Sequence, residues 1–268
     1  ESVNDKGMPL TASELLCNYL FRPIIDAKEN YEDLHNNQWL PAIRMLDDDD
    51  RFEEYLRHLF SIGETRMVGK HRKVYVHFKG KNRHLTSGSA KQYLTDIFAG
   101  APLYRTITHP ISHPHKNEGV NQLLIAIGNT RMESSTPFVL SVLRAHAAGT
   151  LSDDNTRAIL RETLVLLVRR KMTEMATTQY DIMFPSLLGN IINEPSQVRA
   201  LHDRFKKHAV WISNQEFEEA LKNNPAYRRN DLTFSRMLLI EIDKKLQSHG
   251  QLPDYSTVGT IEHMIPQT

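Results

Sequence analysis

An acidic residue and a histidine stand side by side in the segment TIEHMIPQT, as Glu262 and His263. The apolar residues around them, Ile261, Met264 and Ile265, predict a short strand that carries the imidazole. A histidine in this setting can act as a general base that activates water for attack on a phosphodiester, beside a divalent metal. Glu262 is the candidate metal ligand, but a hard cation needs further donors. From the spacing alone, a packed histidine without a catalytic role is the more common interpretation.

A second candidate is a stretch between residues 65 and 95 that is rich in cations. It holds eight lysines and arginines and no acid, and Tyr75 and Phe78 lie among them. Clustered cations around aromatic rings predict contacts to the phosphate backbone of DNA. The alternatives are a solvated hairpin, or pairing of these cations with the acidic run at residues 47–50. The residues predicted to bind DNA are Lys70, Arg72, Lys73, Lys79, Lys81 and Arg83.

Three histidines in one predicted loop, His109, His113 and His115, have a spacing at which imidazoles can share a zinc ion. The interleaved Pro110 and Pro114 stiffen the segment and work against convergence of the rings. We therefore favour an ordinary loop over a metal site. The acidic run at residues 47–50 is interpreted in the same way, as a helix start rather than a metal site.

The pair Arg169-Arg170 lies late in a long apolar segment and has two interpretations of equal weight. One is a contact to nucleic acid or to an acidic residue of another domain. The other is a pair of cations that the helix dipole favours at a helix end. Cys17, the only cysteine, has no general base beside it and is predicted to be a small core residue.

Helical signals dominate the elements that must position these residues. Thr11 with Glu14, and Ser213 with Glu216, have the spacing of capping boxes, and Pro23 is predicted to end the first helix. In contrast, the segment KVYVHF at residues 73–78 is rich in β-branched and aromatic residues and predicts a short strand or hairpin. The expected fold is mainly α, a bundle-like helical region with one small β-hairpin and a strand near residue 261. Helices are predicted over residues 12–22, 47–63, 89–100, 137–149, 153–175, 184–192 and 231–250.

The composition is that of an ordinary globular protein, with 40% hydrophobic and 24% charged residues and a formal net charge of +1. One cysteine excludes an internal disulfide and fits a reducing compartment. No apolar run approaches the roughly 18 residues that cross a bilayer, so no membrane partner is predicted. The sequence starts with ESVNDKGMPL, without an initiator methionine, and is expected to be a piece of a longer protein.

Three segments together resemble GmrSD-type restriction endonucleases, which are type IV enzymes that act on modified DNA. GTIEHMIPQT is similar to the IEHI-x-PQ signature that opens their His-Me finger (HNH-like) nuclease domain. LVLLVRRKMTEMATTQYDIMFPSL is similar to an internal helix with paired arginines, here Arg169 and Arg170. ESVNDKGMPLTASELLCNYLF is similar to the segment that closes their ParB-like, nucleotide-hydrolysing domain. The matching residues of that segment are Asn4, Gly7, Leu10, Thr11, Glu14, Leu15, Asn18, Tyr19 and Leu20.

The resemblance implies three regions: residues 1–22 end the ParB-like domain, residues 23–250 form a helical middle region, and residues 251–268 begin the nuclease domain. It implies that His263 is the general base and Glu262 a metal ligand, with a divalent ion such as Mg²⁺ in the complete nuclease and a nucleotide in the N-terminal domain. The expected partners are modified phage DNA and the two catalytic domains, in a bacterial or archaeal cytoplasm. The middle region would couple nucleotide-dependent sensing to cleavage, and the chain alone is expected to be inactive.

Two alternatives stay open. A non-catalytic helical module that binds DNA or a protein partner would explain the basic stretch and the helices without any chemistry. An all-α enzyme that uses the central histidines is the less favoured of the two, and it would require zinc.

Overall fold

The computed structural model describes residues 10–224 and 231–246, and within these ranges every regular element is helical. The predicted mainly α fold is therefore confirmed. None of these helices has the length and apolar composition that a bilayer span requires. The α-helices are α1 (Ala12–Asp26), α2 (Tyr31–Leu34), α3 (Leu40–Met45), α4 (Asp49–Ser61), α5 (Arg72–Lys81), α6 (Ser87–Thr108), α7 (Glu118–Asn129), α8 (Thr136–Ala147), α9 (Asp153–Met172), α10 (Tyr180–Met183), α11 (Gln197–Lys207), α12 (Asn214–Asn223) and α13 (Leu232–Leu246).

Helices α1, α3, α4, α5 and α6 enclose the first of two large cores. Leu16 of α1, Tyr55 of α4 and Leu94 of α6 are among its fully buried side chains. The Tyr55 hydroxyl donates to the carbonyl of Ile97 at 2.6 Å. A Cβ added at Gly100 would lie 2.3 Å from that hydroxyl. Glycine is therefore what lets α4 and α6 approach this closely.

Helices α7 to α11 form the second core. The two cores meet along α6 and α8, because Leu140 of α8 is buried in the first core while Phe138 of the same helix is buried in the second. A third, small cluster of Met172, Phe234 and Met237 seats α13 against α9. The second core includes the fully buried Val120, Ile159, Leu160, Phe184, Leu201 and Phe205.

Local sequence signals set several helix starts as predicted. The Thr11 hydroxyl accepts a hydrogen bond from the Glu14 amide at 3.2 Å, and the Glu14 carboxylate accepts one from the Thr11 amide at 2.8 Å. In the acidic run, the Asp48 side chain accepts from the Arg51 amide at 2.8 Å, and the next two aspartates lie in the first turn of α4. The run is thus a helix start, where the dipole favours negative charge.

The predicted strand or hairpin at residues 73–82 is wrong, because this segment is helix α5. Val74 and Phe78 are buried against the first core, whereas Val76 between them is 59% exposed. A strand would have turned all three side chains to the same side. In the sequence, the spacing of the apolar residues fits both a strand and a helix. The packing of α5 against α1 and α4 selects the helix.

Helix α1 does not end at Pro23 as predicted. It continues to Asp26, and Ile24 is fully buried in the first core. This packing outweighs the one backbone hydrogen bond that a proline removes. The helix therefore runs through the domain boundary predicted between residues 22 and 23, and the domain boundaries stay predictions. The strand predicted near residue 261 and the predicted start of the nuclease domain at 251–268 lie outside the described residues.

Candidate nucleic-acid interface

Helix α5 exposes a set of cations because Val74 and Phe78 face the first core. The outward side of this ten-residue helix carries cations together with the exposed Val76. All six residues predicted to bind DNA are exposed, and five of them form what we call the basic face: Lys70, Arg72, Lys73, Lys79 and Arg83.

The sixth predicted residue, Lys81, is also exposed but has a carboxylate partner. Its Nζ lies 2.7 Å from Oε1 of Glu64, which also lies 3.5 Å from Nε2 of His77. Within the described ranges, no carboxylate oxygen comes within 4.0 Å of a basic-face nitrogen. The acidic run pairs elsewhere, since Asp47 lies 3.1 Å from Arg51. Within the described residues, the charge of the basic face is therefore not neutralised by a nearby carboxylate, unlike that of Lys81.

A groove of about 560 Å³ opens between α1 and α5, beside the basic face. Tyr19 forms part of its wall and is held by its hydroxyl, which donates to the carbonyl of Asn82 at 2.6 Å. The Nζ of Lys79 lies 5.6 Å from the ring centre of Tyr75 and 5.9 Å from that of Tyr19. The electron-rich faces of both rings attract this cation. The groove therefore combines aromatic walls with a cation at its mouth.

The residues on the α1 side of this groove were not among those predicted to bind DNA. Tyr19, Arg22, Pro23 and Asp26 all line it, and they lie on one side of a helix because they are spaced by three and four residues. That spacing is the signal that could have identified them as one surface. Their position next to Tyr75 follows only from the packing of α1 against α5.

The three histidines at residues 109–115 do not converge. Nε2 of His109 lies 2.9 Å from Nη1 of Arg51, whereas the His115 ring lies against His146, with 5.3 Å between ring centres. Burial lowers the pKa of His115. Across the described ranges, no three histidine, cysteine or acidic side chains group as a metal site requires. Residues 109–115 form a loop in which His109 and His115 contact different parts of the chain.

Arg169 and Arg170 contact groups of their own chain. Arg169 donates to the carbonyl of Ile212 at 2.9 Å and to the side-chain oxygen of Asn214 at 2.6 Å. Arg170 is only 4% exposed and donates to the carbonyl of Ala176. These bonds fasten the segments that follow α9 and precede α12. The geometry favours the structural interpretation of the pair over a contact with nucleic acid.

Cys17, predicted to be a small core residue, is only partly buried and packs against the first core from its edge. Burial, together with the carboxylate of Glu14, raises the pKa of the Cys17 thiol to about 12. The thiolate that a nucleophile requires is therefore scarce at neutral pH.

The predicted general base and metal ligand, His263 and Glu262, lie outside the described residues. Their roles stay predictions from the sequence. The divalent metal expected with them and the nucleotide expected in the preceding domain stay predictions as well.

Comparison with known proteins identifies no relative. No family model matches the chain, and neither a curated protein nor a solved structure matches it. The function proposed for this chain therefore rests on helix α5, its groove and the sequence patterns.

Proposed function

We propose that this chain is the central, DNA-contacting part of a GmrSD-like restriction endonuclease, and that its basic face binds the phosphate backbone. The observation that carries the proposal is the exposure of five cations on and beside α5, none of them within 4.0 Å of a carboxylate among the described residues. Cations without a carboxylate partner contribute most to the free energy of DNA binding, because they replace the counterions that surround the phosphates.

The restriction-enzyme part of the proposal is supported by the motif order in the sequence. In the complete protein, His263 would deprotonate the attacking water, and Glu262 would help to hold a divalent metal, which would supply charge stabilisation for the leaving oxygen. The resemblance assigns the nucleotide to the ParB-like domain. The target is modified phage DNA in a bacterial or archaeal cytoplasm, which fits the single cysteine.

The coupling role is supported by contacts between the segment that leads to α5 and the second core. The Gly63 amide donates to the carbonyl of Pro185 at 2.8 Å, and the Met67 amide donates to that of Asp181 at 2.7 Å. Both donors lie between α4 and α5, and both acceptors lie next to the second core. A shift of the basic face on binding DNA would therefore strain these bonds. We infer that they relay the bound state toward the nuclease half.

The DNA-binding part is tested by reversing three charges, as Lys70→Glu, Arg72→Glu and Lys73→Glu in one variant. The affinity for a fluorescent DNA duplex is measured by anisotropy at several salt concentrations. We expect the affinity to fall at least about tenfold. The negative slope of the logarithm of the binding constant against the logarithm of salt should become shallower by roughly 2.7. New acids at the start of α5 suit the helix dipole, so the fold should persist.

A matched control changes the net charge equally on another surface. Arg161, Arg199 and Lys206 are exposed, and their reversal to glutamate should leave most of the affinity intact. Equal losses in both variants would mean that only net charge matters, and an unchanged affinity in the α5 variant would remove DNA contact from the proposal.

The catalytic part predicts that the 268-residue chain alone does not cut DNA, because the resemblance places the remaining nuclease ligands after Thr268. Supercoiled plasmid is incubated with the chain and Mg²⁺, and nicking is followed on a gel. Cleavage that disappears in His263→Ala would contradict this expectation.

A second candidate function, a module that binds a protein partner, is favoured by helix α13. Its side chains Leu239, Ile242 and Leu246 are 44%, 50% and 74% exposed and lie on one side of the helix. Charge reversal separates the two candidates: lost DNA binding favours the first, and unchanged DNA binding favours the second.

A further inference from the structure

The groove between α1 and α5 has a lining that suits a flat, partly polar ring with an anionic group attached. Leu15, Pro23 and Leu85 supply apolar surface, and Tyr19 and Tyr75 supply aromatic rings. Its volume of about 560 Å³ is within the range of roughly 300–1,000 Å³ that small-molecule sites occupy. A nucleobase has the flat shape and π-faces that such rings stack on.

Charge is distributed unequally between the two walls. On the α1 wall, Arg22 lies 3.8 Å from Asp26 and is partly compensated by it. On the α5 wall, Lys79 and Arg83 have no carboxylate within 4.0 Å among the described residues. A phosphate is therefore attracted to the α5 wall, whereas the Asp26 carboxylate can accept hydrogen bonds from the amino groups of a base.

Lys79 is the group that must move when a base enters. Its Nζ lies 5.6 Å from the ring centre of Tyr75 and 5.9 Å from that of Tyr19, above the surfaces that a base would occupy. The lysine stem has four carbons and swings at low cost, so the ammonium can follow a phosphate and leave the rings to the base. Tyr19 stays fixed meanwhile, because its hydroxyl bonds to the carbonyl of Asn82 at 2.6 Å.

We propose that this groove binds a nucleotide, with the base stacked on Tyr75 and the phosphate held by Lys79 and Arg83. The Tyr19 ring stands at 84° to that of Tyr75, so it contacts the edge of the base. Lys79 and Arg83 also belong to the basic face, so a DNA strand that follows this face passes the mouth of the groove. The ligand is a nucleoside phosphate, either an unpaired nucleotide of a DNA strand or a free mononucleotide. The inference rests on the proposed DNA contact and adds a second mode of binding, for bases that are not in a duplex.

The test compares single-stranded and double-stranded DNA of the same sequence by fluorescence anisotropy. Tyr75→Leu keeps apolar bulk but removes the stacking ring. We expect its affinity for the single strand to fall about tenfold, while its affinity for the duplex stays within about twofold. Tyr75→Phe keeps the ring and should restore single-strand binding. The matched control is Tyr31→Leu, because Tyr31 is 40% exposed and lies on α2, outside the groove.

Two further arms identify the source of the nucleotide and guard against misfolding. Deoxyadenosine monophosphate is added as a competitor: displacement of the single strand supports a site for a nucleotide as such, and no displacement at millimolar concentration supports a site that requires the strand. Arg83→Ala replaces an exposed side chain and should weaken single-strand binding about threefold without loss of fold.

The inference is overturned if Tyr75→Leu binds the single strand as the wild type does, or if it loses no more than Tyr31→Leu. The proposed function fails separately, through a duplex affinity that does not respond to charge reversal at Lys70, Arg72 and Lys73. A result in which duplex binding responds to the charges but single-strand binding ignores Tyr75 would therefore reject the groove alone.

Discussion

The basic face of α5 and the pair Arg169-Arg170 present the same residue types in two different settings. Both place cations beside aromatic rings: Lys79 lies over Tyr75 at 5.6 Å, and Arg169 lies over Trp211 at 5.2 Å. The α5 cations are exposed and face solvent. The side chains of Arg169 and Arg170, at the end of α9, donate hydrogen bonds to backbone carbonyls of their own chain.

A cation next to an aromatic ring therefore indicates a binding surface only when its hydrogen-bond and ion-pair partners are counted as well. A guanidinium whose donors already meet carbonyl oxygens has little left to offer a phosphate. Conversely, exposed cations without carboxylates nearby gain free energy from a polyanion. We therefore expect mutations in the two regions to affect different measurements, stability for one and DNA affinity for the other.

The largest effect is expected for Arg170→Ala. Arg170 is 4% exposed, donates to the carbonyl of Ala176 and lies 5.7 Å from the ring centre of Tyr180. Its loss leaves a carbonyl without its donor and opens space beside the ring. We expect the free energy of unfolding, measured in urea, to fall by about 3 kcal/mol.

Arg72→Ala is the matched control for this prediction, because it removes the same side chain from an exposed position. It should change the free energy of unfolding by less than about 0.5 kcal/mol and weaken DNA binding instead. If Arg170→Ala weakened DNA binding without destabilising the chain, the contrast between the two regions would be lost.

A smaller effect, with a defined pH range, is expected at a buried histidine of α4. His58 is 2% exposed and is a hydrogen-bond partner of the Tyr104 hydroxyl at 3.1 Å. Burial, with the nearby charges of Arg57 and Lys70, lowers the pKa of His58 from 6.5 to about 3. The folded chain therefore keeps this ring neutral, whereas the unfolded chain protonates it below its ordinary pKa.

The direction in which stability changes with pH follows from proton binding. The contribution of neutral His58 to stability is complete above pH 6.5 and is lost as the pH falls from 6.5 toward 3. Between pH 6.5 and 5, the free energy of unfolding should decrease less steeply with falling pH in His58→Gln than in the wild type. The two slopes should differ by up to about 1.4 kcal/mol per pH unit. Urea titrations at several pH values measure this slope. His84→Gln, at an exposed histidine, should leave it unchanged, and an unaltered slope in His58→Gln would contradict the prediction.

Local patterns predicted much of the fold but less of the candidate site. Thr11 and Ser213 begin helices as predicted, and Asp48 caps α4 within the acidic run that was predicted to be a helix start. A capping side chain acts on backbone groups within three residues. The error at α5 has a physical cause. Val74, Val76 and Phe78 satisfy a strand period, and Val74 with Phe78 also satisfies a helical one. Only the position of the first core selects the helix, and it leaves Val76 exposed.

The cation-rich character of residues 65–95 was visible in the amino-acid order, because charge is a property of each residue and needs no partner. Which of these cations stay unpaired was not visible, since the Glu64 that contacts Lys81 is brought there by the turn before α5. The groove depends on tertiary structure still more. Tyr19 and Tyr75 belong to separate helices. Their ring centres lie 6.1 Å apart only because α1 and α5 pack on the same core.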